Sequence, residues 1–306
     1  MKPVRVLVAL VVAFAVLTGC APGSIPTPLD DAAGPPPQAP VTVSGPAGLP
    51  PTLQYDVPFA VTEPGSRTIW PGTGDRVERG EPLLLNLYAQ DGRDATALQN
   101  TFADAPVAYT MTETSLGHNL YEALDGVRVG ARLLVIDEAD GVPVLLVVDV
   151  LPTRAAGTEV QSPEGLPRVT RHQDGEPQIS VPWETEPPQE LVALPLVRGT
   201  GAQVEAGQIV TVEFTAVAWS TGEIFETTWE PGEPPQSSMV GIGQLVEGWD
   251  QGLLEKTVGS QVLLVVPPNL GFADTASPLA GETLVYVVDI LDSHYPVAPE
   301  QEAQEG

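Results

Sequence analysis

One line occurs twice in this chain, GTGDRVERGE at 72–81 and GTGAQVEAGQ at 199–208, and it constrains the fold more than any other feature. Both copies read G-T-G-x-x-V-E-x-G and lead into apolar runs, LLLNLYA (83–89) and IVTVEFTA (209–216). Upstream, GLP recurs at 48–50 and 165–167. Downstream, LDGVRVGARLLVI (124–136) answers LLEKTVGSQVLLVV (253–266), and VPVLLVVDVL (142–151) answers GETLVYVVDIL (281–291). Matched blocks in the same order argue for a duplicated domain rather than chance. The copies run over 45–153 and 195–292, and 154–194 is a connector and leading segment of the second. The G-T-G line is no dinucleotide fingerprint. It lacks the third glycine and precedes a strand instead of following one, so it reads as a tight turn feeding a strand.

In the second copy, 209–218, 261–267 and 282–291 carry the alternating or continuous Val/Leu/Ile patterns of strands. The expected helix lies near 244–254, where Leu245, Trp249 and Leu253 recur at i, i+4 and i+8 and form one face. A sheet must bury a face, and a short helix laid across it does so, which gives an α+β domain. Gly248 and Gly252 weaken such a helix by about 1 kcal/mol each. Without side chains, however, they let it approach its neighbours closely.

The ends and the charge narrow the function. Lys2 and Arg5 precede a run of twelve apolar residues, Val6–Leu17, too short to span a bilayer as a stable helix. Residues 1–19 therefore read as a secretory signal. LTGC (17–20) resembles a bacterial lipobox, which implies that Cys20 becomes a lipid-carrying N-terminus. Cys20 is the single cysteine of the chain, so no intramolecular disulfide forms. Residues 20–44 are a Pro/Ala-rich disordered tether, and 293–306 an acidic disordered tail. A formal charge of -27 excludes nucleic-acid binding through a basic face. His118, His172 and His294 are spread without metal-ligand spacing, and the acidic turn DEADG (137–141) reads as a solvated loop, so no metal and no cofactor is expected.

Four segments in order, GQIVTVEFTAVAWSTGEIFETTW, VGIGQLVEGWDQGL, VGSQVLLVVPPNLGF and ETLVYVVDIL, resemble the FKBP-type peptidyl-prolyl cis-trans isomerases over about 195–292. The resemblance implies a curved antiparallel sheet wrapped around one short helix, hence two FKBP-like domains with the first degenerate. It implies a pocket floored by Trp249, with Phe214, Phe225, Phe272 and Tyr286 as its aromatics and Glu226 as its acid. Leu245 and Val246 form the rim, and the backbone N–H of Val246 meets a substrate carbonyl. Met239, on the segment 236–239 where the family carries a further aromatic, joins Leu245 as a substrate contact. Glu226 stands where aspartate is usual, and Phe214 and Phe272 lack hydroxyls that the family often carries.

In the first copy Leu120 aligns with Trp249. There Leu85, Leu87 and Val135 can keep a core, while the pocket is expected to be lost. The expected function is isomerisation of X-Pro bonds in exported polypeptides, by a monomer held extracytoplasmically at the bacterial cell membrane through lipid on Cys20. The alternative is a non-catalytic tether that binds proline segments. No catalytic nucleophile is needed, because the barrier of about 18–20 kcal/mol comes from amide resonance alone.

Overall fold

A computed structural model describes residues 38–172, 174–230, 232–273 and 276–296, and these belong to one compact unit. The expected signal segment, Cys20 and most of the tether and tail lie outside the described residues. No helix among the described residues is long and apolar enough to cross a membrane.

A small hairpin, β1 (Thr42–Ser44) and β2 (Thr52–Gln54), comes first. The first large sheet follows, with β3 (Gly65–Trp70), β4 (Pro82–Asp91), β5 (Ala97–Asn100) and β6 (Val107–Thr110). After the helices α1 (Glu113–Leu116) and α2 (His118–Leu124), β7 (Arg132–Ala139) and β8 (Val142–Leu151) complete it. Next come the short β9 (Thr158–Glu159) and a second hairpin, β10 (Arg168–Arg171) and β11 (Pro177–Ser180). The second large sheet holds β12 (Val192–Arg198), β13 (Ile209–Ala218), β14 (Ile224–Thr227) and β15 (Gln236–Met239). It closes with α3 (Glu247–Gly252), β16 (Gln261–Val266) and β17 (Leu284–His294).

The strand orders are β3-β7-β8-β4-β5 with β6 also on β4, and β12-β16-β17-β13-β14 with β15 also on β13. These are the same order with all pairings antiparallel, and β9 is one extra strand beyond β12. In each sheet the helical segment sits between corresponding strands and covers one face. Val212, Phe214, Val262, Leu264, Tyr286 and Trp249 build the core under α3, and Leu85, Leu87, Leu133, Val135 and Val148 build its counterpart. The hairpins cover the opposite faces, with Leu53 and Val43 over Leu134 and Val147, and Val169 and Ile179 over Leu263 and Val287. Covered on both sides, β13 and β17 are buried at every residue, and so they read as near-continuous apolar runs.

The repeated G-T-G turn has a packing cause. A Cβ at Gly72 would lie 2.2 Å from Val129 O, and one at Gly199 would lie 2.2 Å from Val258 O. Gly74 N donates to Val129 O and Gly201 N to Val258 O, both at 3.0 Å. Two backbones pass too closely for any side chain, and the motif repeats because that crossing does. The same argument holds for α3. A Cβ on Gly248 would meet Val266 Cγ1 at 2.4 Å, and one on Gly252 would meet Leu264 Cδ2 at 2.6 Å. Gly248→Ala is expected to destabilise the chain by about 1–3 kcal/mol through overpacking, despite alanine's better helix propensity. Val266→Ala in the same chain should recover part of the loss in a denaturant melt.

Three sequence boundaries shift. β1 lies within the segment read as tether, because Val43 finds an apolar face to cover. Ser293 and His294, assigned to the tail, end β17 and are buried. The expected helix 244–254 contracts to Glu247–Gly252. Val246 is extended at φ -59, ψ 140, and Gly241 and Gly243 adopt positive φ, so Leu245 reaches the core from a loop. His294 also helps to join the two sheets. Its Nδ1 lies 2.8 Å from Asp292 Oδ2, its ring meets Phe102 edge-on at 6.5 Å, and Asn86 Nδ2 donates to Asp292 at 3.5 Å.

A polar row crosses each sheet on its hairpin side. In the first, Asn86, Asp149 and Arg132 are register partners, and Arg132 Nη2 donates to Asp149 at 2.6 Å and to Leu49 O at 2.9 Å. In the second the row is Glu213, Asp289 and Gln261. Two carboxyls now face each other. Burial raises Glu213 to about 7, with the Asp289 charge adding to the shift, and burial raises Asp289 to about 6.

Both carboxyls hold their protons more tightly folded than unfolded, where the ordinary values are 4.5 and 3.8. The folded state is thus favoured at acid pH, and the cost of ionisation grows as pH rises from about 4 to 7. Glu213→Gln should remove a penalty on the order of 2–3 kcal/mol above pH 7 and little of it near pH 4. Thermal melts at both pH values check this. An equal shift at both would refute it.

Candidate functional site

The helix-covered face of the second sheet gathers the aromatic side chains. Trp249 projects from α3 onto it, held low by the two glycines, and is 7% exposed. Its ring meets Phe214 at 5.1 Å and Tyr286 at 5.4 Å, both edge-on, and Phe214 and Tyr286 are 6.4 Å apart. Phe214 and Tyr286 come from adjacent central strands, at alternate positions that face the helix.

Phe225 and Glu226 owe their place to a β-bulge. The pairing of β13 with β14 slips between Ala216 and Val217, so Glu226 stands opposite Ala216 while Ile224 stands opposite Val217. Ala216 faces the core under α3, so Glu226 shares that face, and the extra residue Phe225 turns toward it as well. Such a bulge redirects side chains at a sheet edge. Phe225 meets Tyr286 edge-on at 6.0 Å. Glu226 is exposed, yet its charge reaches Tyr286, whose phenol is pushed far above its usual value chiefly by burial and further by Glu226.

Phe272, Leu245 and Val246 pack half-buried around this cluster. The backbone N–H of Val246, at the start of α3, finds no protein acceptor among the described residues. The sequence reading missed what holds that loop. Asp250, buried on α3, accepts from Gly241 N at 2.8 Å and from Gly243 N at 2.6 Å. The acid fixes the loop that delivers Leu245 and Val246. Its sequence signal was an aspartate in the helix seven and nine residues after two glycines.

Met239 does not join the aromatic cluster. It pairs with Ile209 and lines a separate cleft of ≈ 350 Å³ with Ser237, Ser238, Gln244 and Leu245. Asp104, from the first sheet's side of the molecule, also lines it. Leu245 alone of the named site residues borders both this cleft and the aromatic core.

In the first repeat a cavity of ≈ 250 Å³ lies beneath α2. Leu116, Leu120, Val135, Val144 and Leu146 supply its apolar walls, and Asn119 donates to Asp137 at 2.7 Å at its rim. No Phe, Tyr or Trp lines it; Leu120 and Leu146 stand where Trp249 and Tyr286 stand in the second repeat, and Leu87, at the place of Phe214, lies outside it.

Comparison with known sequences gives a consistent result. The pattern of the FKBP-type peptidyl-prolyl cis-trans isomerase matches residues 201–291. The FK506-binding protein of Streptomyces anulatus is 37% identical over 119 residues, 38% of this chain and 94% of the relative. The probable FK506-binding protein of Corynebacterium glutamicum is 33% identical over 119 residues, 38% of this chain and 98% of the relative. The solved structure of the three FKBP domains of wheat FKBP73 aligns with a TM-score of 0.31 and 15% identity, over 75% of this chain and 94% of that one.

Proposed function

Because the chain belongs to the FKBP-type peptidyl-prolyl cis-trans isomerase family and is an isomerase of that type, we propose that its reaction takes place over Trp249. The observation that carries this reading is the meeting of four rings, Trp249, Tyr286, Phe214 and Phe225, under a helix whose N-cap residue, Val246, packs on them and has no acceptor for its N–H among the described residues.

The chemistry fits that setting. Cis and trans X-Pro forms differ by only about 0.5–1 kcal/mol, so the enzyme need only lower the rotation barrier. A pocket does so by binding the twisted, less conjugated amide better than either planar form. The pyrrolidine ring packs on Trp249 between Phe214, Tyr286 and Phe225. The Val246 N–H holds a carbonyl of the substrate, and Phe272 and Leu245 exclude water from the rotating bond. Asp250 acts through the loop, not on the substrate. Glu226, at the edge of the pocket, favours substrates without a nearby acid. The experiment that tests this site compares isomerisation of a short proline peptide by the full chain and by Trp249→Leu.

The repeat extends the proposal. Two FKBP-like domains make up 45–153 and 195–292, the first without the aromatic site. The lipobox-like LTGC supports anchoring through lipid on Cys20 at the outer surface of a bacterial cell membrane. Its substrates there are exported polypeptides, whose X-Pro isomerisation otherwise takes about 10–100 s. Radiolabelled palmitate should enter the wild-type chain in cells and not Cys20→Ala.

A further inference from the structure

We infer that the cavity under α2 is a second binding site, which takes an aliphatic segment of a polypeptide flanked by basic residues. This rests on the reading of the second repeat as the proline site of an unfolded client.

The shared register locates the cavity. The row Asn86–Asp149–Arg132 corresponds to Glu213–Asp289–Gln261. Counting along the strands from these rows puts Leu87 at the place of Phe214, Leu146 at that of Tyr286 and Val135 at that of Leu264. Leu120 on α2 is the counterpart of Trp249 on α3. Three rings of the second repeat, Trp249, Tyr286 and Phe214, are thus leucines in the first, and two of these, Leu120 and Leu146, line the cavity. Protein interiors rarely keep voids larger than a water molecule. A cavity of ≈ 250 Å³ with half-buried Leu116 and Leu120 at its mouth is instead an open apolar pocket.

Its chemistry differs from that of the aromatic site. Leucine walls accept an aliphatic side chain, with burial contributing about 25 cal/mol per Å², and they offer no ring face to a proline. The rim is acidic. Asp137 lines it, and Glu113, Glu138 and Asp140 stand exposed on the adjoining segments. The lining includes no lysine or arginine. Arg79, which stacks on Tyr121 of α2, is held by Asp125, and His118 by Glu113. Basic residues beside the captured segment therefore meet Asp137, Glu138 and Asp140, which no lysine or arginine of the lining offsets.

The test uses the full chain and a fluorescein-labelled, proline-free peptide with a Leu-Ala-Val core between pairs of lysines, followed by anisotropy. Binding is expected in the wild type and in Trp249→Leu. It should weaken by about tenfold or more in Leu120→Arg and in Leu116→Arg, each shown to be folded by its thermal melt, and two positions guard against one that fails to fold. Isomerisation of a short proline peptide by the Arg variants should match the wild type, and it reports on the other site independently. Absence of peptide binding by the wild type would overturn the inference. So would binding that Trp249→Leu abolishes and both Arg variants leave intact.

Discussion

Trp249→Leu is expected to lower kcat/KM for a short proline peptide by roughly 10–100-fold while the chain still folds. The loss follows from geometry. The indole forms edge-on contacts with Phe214 and Tyr286, and in the proposed site it is the surface offered to the proline ring. Leucine supplies neither the area nor the ring face, and aromatic pairs contribute about 0.5–1.5 kcal/mol beyond burial. The stability cost of trimming a buried ring is about 2–3 kcal/mol at a site that can partly collapse, within the usual margin of about 5–15 kcal/mol. The chain itself argues that leucine is tolerated there, since Leu120 occupies the corresponding place over the same strand order. A proline-peptide assay beside a thermal melt separates the two effects. A folded variant with wild-type kcat/KM would remove Trp249 from the site.

Arg132→Met should have the largest effect on stability, a loss of about 3–5 kcal/mol. The guanidinium is fully buried. It pairs with Asp149, lies 4.6 Å over the Trp70 ring and donates to Leu49 O and Gly45 O. It thereby ties the first hairpin to the sheet. Removing it leaves the Asp149 carboxylate buried without a cation, where burial already pushes its pKa up despite the arginine. Arg132→Met with Asp149→Leu should cost much less than Arg132→Met alone, because an apolar pair leaves no stranded charge. Urea melts of the single and double variants decide it. Equal losses would mean that the hairpin contacts, not the charge, dominate.

The same row shows how far sequence reasoning reached. The blocks ending in VVDVL and VVDIL align Asp149 with Asp289, and the strands carrying them were legible from their Val/Leu/Ile runs. That one aspartate meets an arginine and the other a glutamate and a glutamine was not legible, because cross-strand partners lie far apart in the chain. The glycines of α3 were read as close-approach positions, and Val266 and Leu264 give the reason. The helix itself is shorter than its apolar pattern implies. The i, i+4, i+8 apolar pattern continues through Leu245, but the clamp of Asp250 on Gly241 and Gly243 holds that residue in a loop.

The sequence by itself determined the duplication, the strands and the identity of the rings, since periodicity and repeated blocks are local properties of the chain. Tertiary structure decided which side chains share a face. The bulge in β14 puts both Phe225 and Glu226 on the helix-facing side, the pairing with Ile209 takes Met239 into another cleft, and α2 leaves open a space that its leucines did not announce. Each of these turns on a one-residue slip of register or on how closely a helix rests. Both are set by packing between segments distant in sequence.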